Sequence, residues 1–166
     1  MQLMSSSHHS AILLLGSNIS PVENTRKALI ELCCYGIIHR ISRAWQSPPF
    51  CSPGPDFINL AIEFLTPLPL DEMKNNAIAA VETKLGRQRS SDKNAPRTID
   101  VDIILFDDEL LDQTIWVRPY AAVTIADLLP NLVDAAHKTT LAATASAFAG
   151  QHPLQERPDV FSDHDQ

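Results

Sequence analysis

Residues 96–106, PRTIDVDIILF, carry two aspartates two positions apart at the head of a nearly all-apolar run, with Arg97 just ahead of them. Side chains alternate faces along a strand, so the run predicts a strand with Ile99, Val101, Ile103 and Leu105 turned to a core. Asp100 and Asp102 then share the opposite face. Same-face neighbours lie roughly 6.5–7 Å apart, within reach of a pair of divalent ions spaced about 3.5–4 Å. Hard oxygen donors with neither His nor Cys beside them point to magnesium. An edge strand with a wet outer face is the plainer reading of an isolated Asp-x-Asp.

The flanking charge favours a site. From 84 to 97, Lys84, Arg87, Arg89, Lys93 and Arg97 stand against Asp92 alone, in a chain of net charge −7. Basic side chains beside two carboxylates suit a polyphosphate, whose oxygens take guanidinium forks and bridging cations. The segment GRQRSSDKNAPR (86–97) has no apolar periodicity and predicts a loop able to close over a nucleotide and exclude water. No GxxxxGK[ST] run is present, so a nucleotide would need another cradle.

Upstream, SAILLLGSN (10–18) predicts a buried first strand entering a turn. PVENTRKALIELCCYG (21–36) predicts a helix, with Val22, Ala28, Leu29 and Leu32 at helical spacing, Pro21 in its first turn and Gly36 as its stop. IIHRISRAWQS (37–47) and DFINLAIEFLT (56–66) predict two strands around PPFCSPGP (48–55). Four prolines make that loop stiff and extended, either a crossover or a wall facing a ligand. A second helix is expected over 70–85, and helical segments at TIADLLPNL (124–132) and TTLAATASAFA (139–149). The order β, α, β, β, α, β predicts an α+β, ferredoxin-like βαββαβ sandwich, an antiparallel sheet with helices packed on it.

At 166 residues and 45% hydrophobic, the chain suits one domain, expected over 10–149, with flexible termini at 1–9 and 150–166. Its acidity argues against a general nucleic-acid or membrane-surface partner, and a monomer is expected. Cys33, Cys34 and Cys51 read as reduced thiols without metal-ligand spacing. With no apolar stretch of membrane-spanning length and no signal-peptide pattern, a cytoplasmic protein is expected.

In order, LLLGSN (13–18), SPPF (47–50), PDFINLAIE (55–63), VETKLGRQR (81–89) and PRTIDVDIILFDDELLD (96–112) resemble the signatures of the 6-hydroxymethyl-7,8-dihydropterin pyrophosphokinase family. The resemblance runs from about residue 12 to 132. It implies a ferredoxin-like fold and transfer of the intact pyrophosphate of ATP to the pterin hydroxymethyl oxygen, releasing AMP, in folate biosynthesis. Asp100 and Asp102 would bind two Mg2+ ions and form the catalytic set with Arg87 and Arg97, which also meet phosphates. Glu82, Arg89, Ile103 and Arg118 would complete the ATP contacts. Asn59 would read the pterin edge with Ser47, Pro48 and Phe50, and Tyr120 would stack on its face.

After residue 112 the chain departs from the family pattern. QTIWVRPYAAVTIADLLPNL (113–132) is shorter and lacks a proline-histidine motif, with Arg118 and Tyr120 standing for the family's arginine and aromatic. Asn94 and Ala95 replace an aromatic often found in the loop. Three readings stand open: a working pyrophosphokinase, a paralogue that binds pterin or nucleotide without turnover, or a kinase for a different hydroxymethyl heterocycle.

Overall fold

A computed structural model describes residues 8–88, 90–92 and 94–162. β1 (His9–Ser17) leads into α1 (Pro21–Leu32), then β2 (Ile37–Ile41), β3 (Trp45–Ser47) and β4 (Phe57–Thr66). A helical stretch follows, made of α2 (Leu70–Glu72), a π-helical turn (Met73–Ile78) and α3 (Ala79–Lys84). β5 (Asp100–Phe106) and β6 (Glu109–Leu110) precede a 3-10 turn (Gln113–Trp116), α4 (Pro119–Ala126), α5 (Leu141–Ala149), β7 (Gln155–Glu156) and a final 3-10 turn (Pro158–Phe161). Among the described residues no helix is long and apolar enough to cross a membrane.

The class is α+β. The described strands form one sheet in the order β6-β5-β1-β4-β3-β7, with β2 pairing beside β3 on β4, and each pairing is antiparallel. One sheet face packs on α1 and α3 through Leu13, Leu15, Ile58, Leu60, Ile62, Val101 and Ile103. The other packs on α4 and α5 through Ile12, Leu14, Ala61, Ile104 and Leu105. Gly36 permits the tight passage from α1 to β2, because a Cβ there would stand 2.3 Å from the Leu65 carbonyl oxygen and 2.6 Å from the Phe64 ring.

Three expectations need correction. Leu105 lies on the α4/α5 side, opposite Ile103, because the β1–β5 register shifts between Ile12 and Leu13 and Ile104 is the extra residue. Such a bulge inverts the alternation beyond it. The helix expected at 124–132 begins earlier, at Pro119, whose fixed φ suits a first turn.

The third correction concerns the segment after Ala149, expected to be flexible. β7 extends the sheet along β3, Val160 is 1% exposed in the α1-side core, and Arg26 holds the carbonyls of Asp159, Val160 and Ser162. Its polar sequence hid this, because backbone pairing needs no apolar periodicity. Residues 1–7 and 163–166 of the expected flexible termini lie outside the described residues.

Candidate active site

Register, more than sequence, builds the site. Asp100 lies opposite Gly16, Gly16 opposite Asn59, and Asn59 opposite Trp45, so one row crosses β5, β1, β4 and β3 on a single face. Strands are spaced about 4.8 Å, which sets Asp100 and Asn59 roughly 10 Å apart with only glycine between them. A Cβ on Gly16 would stand 3.3 Å from Asn59 Oδ1, so the missing side chain opens the floor. Asp102 follows along the same face above Leu14.

Over this floor sits a cavity of about 380 Å³. Asp100, Asp102 and Arg97 line one end and Ser47, Pro48, Phe50, Phe57 and Asn59 the other, and Asn94, Arg118 and Tyr120 also line it. Nine residues singled out from sequence therefore meet: Ser47, Pro48, Phe50, Asn59, Arg97, Asp100, Asp102, Arg118 and Tyr120. Others stand apart from the cavity lining. The Ile103 side chain is buried in the α1-side core, on the face away from the carboxylates. Glu82 is buried behind β5, where its Oε1 accepts from the Val101 N–H at 3.1 Å and from Arg87. Among the described residues β6 pairs only with Leu105 and Phe106, and this carboxylate covers the strand edge at Val101. Arg89 lies outside the described residues, as does Lys93.

The charged end is tightly braced. Arg87 reaches Asp100 Oδ1 at 2.6 Å while donating to Glu82, and Arg97 donates to Asp100 Oδ2. Arg97 is also set by its backbone, because its N–H donates to Asn18 Oδ1 at 2.8 Å and its carbonyl accepts from the Asn18 N–H at 3.1 Å. Sequence reasoning quoted Asn18 without a role; its place after Gly-Ser at a strand end was the available signal. Lys84, counted in the basic surplus, pairs instead with Glu31 of α1 at 2.6 Å.

Asp102 differs from Asp100. It is open to the cavity, and among the described residues no hydrogen bond or ion pair engages it. Protein crowds its remaining sides, and this loss of water pushes its carboxyl up to about 7, aided by the charges of Asp100 and Asp112 and opposed by Arg87. A carboxylate so crowded by other carboxylates gains from a cation. Burial likewise pushes Glu82 up, against the Val101 N–H and Arg87.

At the other end, Asn59 is 3% exposed, and its Nδ2 donates to Trp45 O at 3.3 Å and Ser47 Oγ at 2.9 Å. A carbonyl can only accept, so Trp45 fixes the amide nitrogen there and leaves Oδ1 toward Gly16 and the cavity. Phe57, missed from sequence, presents a ring two residues before Asn59 on the same face. Arg118 donates to the Tyr120 hydroxyl at 3.3 Å. Trp116 packs half-buried against the α4/α5 core. His137 pairs with Asp134 at 2.5 Å and does not line the cavity.

The arrangement offers an acidic and guanidinium-lined end for phosphates with hard cations, and an amide with aromatic rings for a flat polar ring. Residues 12–130 match the model of the 7,8-dihydro-6-hydroxymethylpterin-pyrophosphokinase family. The chain is 35% identical over 137 residues to the 2-amino-4-hydroxy-6-hydroxymethyldihydropteridine pyrophosphokinase of Synechocystis sp., covering 76% of this chain and 69% of that protein. It is 29% identical to the folate synthesis bifunctional protein of Arabidopsis thaliana, covering 76% of this chain but 28% of that one. A crystal structure of Plasmodium falciparum HPPK-DHPS A437G with pteroate shares the fold, at TM-score 0.66 and 11% identity, over 90% of this chain and 45% of that chain.

Proposed function

The chain belongs to the 7,8-dihydro-6-hydroxymethylpterin-pyrophosphokinase family, and we propose that it transfers the pyrophosphate of ATP to the hydroxymethyl group of 6-hydroxymethyl-7,8-dihydropterin, releasing AMP. One observation carries this reading. A single sheet row carries a carboxylate at one end and a buried amide at the other, across a glycine floor. That span suits an acceptor ring on Asn59 whose hydroxymethyl arm points to phosphates held near Asp100 and Asp102.

The donor set fits a hard cation: two carboxylates on one strand face, one of them crowded by like charge and without a hydrogen bond or ion pair among the described residues. Asp100 and Asp102 would hold two Mg2+ ions, which when bound neutralise phosphate charge. Arg97 and Arg118 face the cavity and bind the phosphate chain. Arg87 acts one step back, aligning Asp100, and Glu82 aligns Arg87. Asn59 Oδ1 accepts from a ring N–H, the Ser47–Phe50 wall meets the ring edge, and Phe57 and Tyr120 sandwich its faces. Attack of the hydroxyl on the β-phosphorus then needs positioning and charge neutralisation more than a strong base.

The strand and helix order supports a ferredoxin-like βαββαβ core for this domain. It acts as a monomer in the cytoplasm on small molecules alone. The test is an AMP-release assay with ATP, magnesium and the dihydropterin, beside calorimetric binding of each. Release of AMP dependent on the acceptor is expected. The shorter segment after Asp112 favours the second reading if both ligands bind and no AMP appears.

A further inference from the structure

The proline loop between β3 and β4 carries the substrate-side wall, yet it has little to hold it. Prolines at 48, 49, 53 and 55 remove backbone donors, and among the described residues a single turn at Phe50 and Cys51 interrupts an otherwise irregular stretch between β3 and β4. Two side-chain bonds secure its exit. Asn18 Nδ2 donates to Pro55 O at 3.4 Å, and Gln46 Nε2 donates to Asp56 Oδ2 at 2.8 Å. The first ties the loop to the Arg97 side of the site. The second leads elsewhere.

Gln46 is itself gripped by the C-terminal segment. Arg157 Nη1 donates to Gln46 Oε1 at 2.5 Å, its backbone N–H donates to Ala44 O at 2.8 Å, and β7 pairs Gln155 opposite Gln46. Asp159 braces the same guanidinium through two bonds, at 2.8 and 2.7 Å. Val160, buried, and Arg26 anchor the far end to α1. Behind the loop lies a second cavity of about 250 Å³, bounded by Pro48, Phe50 and Tyr120 on the site side and by His152 and Leu154 on the C-terminal side. Room therefore lies behind the wall, and the loop's exit is tied by the Asn18 and Gln46 side chains.

We infer that Arg157 is a positioning residue for the acceptor, acting through Gln46 and Asp56 to set the Pro48–Ser52 wall against the ring that Asn59 reads. This rests on the proposed activity. It makes the C-terminal segment part of the substrate site, and it predicts an effect confined to one of two substrates. The Arg97 and Asp100 end is braced independently of the relay, so ATP is unaffected.

Full-length Arg157→Ala, Gln46→Ala and the double variant are compared with wild type by steady-state kinetics and by calorimetric binding of 6-hydroxymethyl-7,8-dihydropterin. Each single variant raises the KM and Kd for the dihydropterin by about 5–10-fold, as loss of one orienting hydrogen bond does, and leaves the KM for ATP and kcat within about twofold. The double variant is no worse than either single one, since both break the same link. Equal changes for ATP and dihydropterin, additive effects, or unchanged variants overturn the inference. Should Arg157→Ala not fold, Gln46→Ala decides alone, because it keeps β7 and the Arg157–Asp159 pair. Wild type that takes no dihydropterin sinks the function reading and this inference together; wild-type binding with unchanged variants sinks the inference alone.

Discussion

The two ends of the cavity are held in opposite ways. At the charged end, Asp100, Arg97, Arg87 and Glu82 form a chain of charged contacts whose members lie within twenty residues of one another. At the other end, Ser47, Phe50 and Asn59 flank one loop while Tyr120 comes from α4, and the wall rests on single hydrogen bonds, from Asn18 to Pro55 and from Arg157 through Gln46 to Asp56. The first end depends on the pairing of charges, the second on the placing of a wall. Substitutions should therefore split by end, with rate lost at one and acceptor affinity at the other.

The largest effect is expected for Asp100→Ala and Asp102→Ala, each lowering AMP release by about 10³-fold or more, as removal of a phosphate-charge stabiliser does. Loss below tenfold in that assay breaks the assignment of the charged end. Next comes Arg97→Ala, which removes a cavity-lining cation and should lower kcat/KM by about 10²-fold. Arg87→Ala should fall in the same range but through misplacement of Asp100, so it also weakens magnesium-dependent ATP binding in calorimetry.

Asn59→Ala tests the other end. It strips the amide proposed to read the ring and should weaken dihydropterin binding by about 10–100-fold with ATP affinity unchanged, the cost of a site hydrogen bond. A matching loss of ATP affinity would erase the split between ends.

Smaller still is the pH effect of Asp102. Its folded value, about 7, lies above the ordinary carboxylate range, so the folded state binds the extra proton. The stabilising contribution is full below pH about 4 and is lost as pH rises through about 7. Melting temperature of wild type relative to Asp102→Asn should therefore fall between pH 5 and 8. Added magnesium should raise the wild-type melting temperature more at pH 8 than at pH 6, because the proton competes with the cation. A difference that stays flat with pH removes Asp102 as the crowded carboxylate. Lys84→Ala closes the series: its exposed pair with Glu31 is away from the cavity, and both KM values should stay within about twofold.

The charged end was largely legible. Asp-x-Asp in an apolar run states its own geometry, since strand alternation places both carboxylates on one face whatever surrounds them. The proline wall and the amide in an apolar strand were visible as residues, whereas the single strand expected over 37–47 is two, β2 and β3, so three strands stand between the helices. Illegible were Phe57, Gly16 and Asn18 as parts of the site, because their roles depend on what lies across the sheet. Leu105 was assigned the wrong face because a bulge is a property of two strands together.

The C-terminal segment shows the limit most clearly. Its prolines and acids resemble a solvated tail, and nothing local marks Gln155 and Glu156 as a strand. Local chemistry, written at separations of two to four residues, was determined by the sequence alone: the first helix, the shared face of the paired carboxylates and the stiff loop. Only the tertiary structure decided which strands face one another, how far Asp100 stands from Asn59, and what secures the loop. Those depend on register and long-range pairing, which are settled by the packing of the whole sheet and not by any one segment.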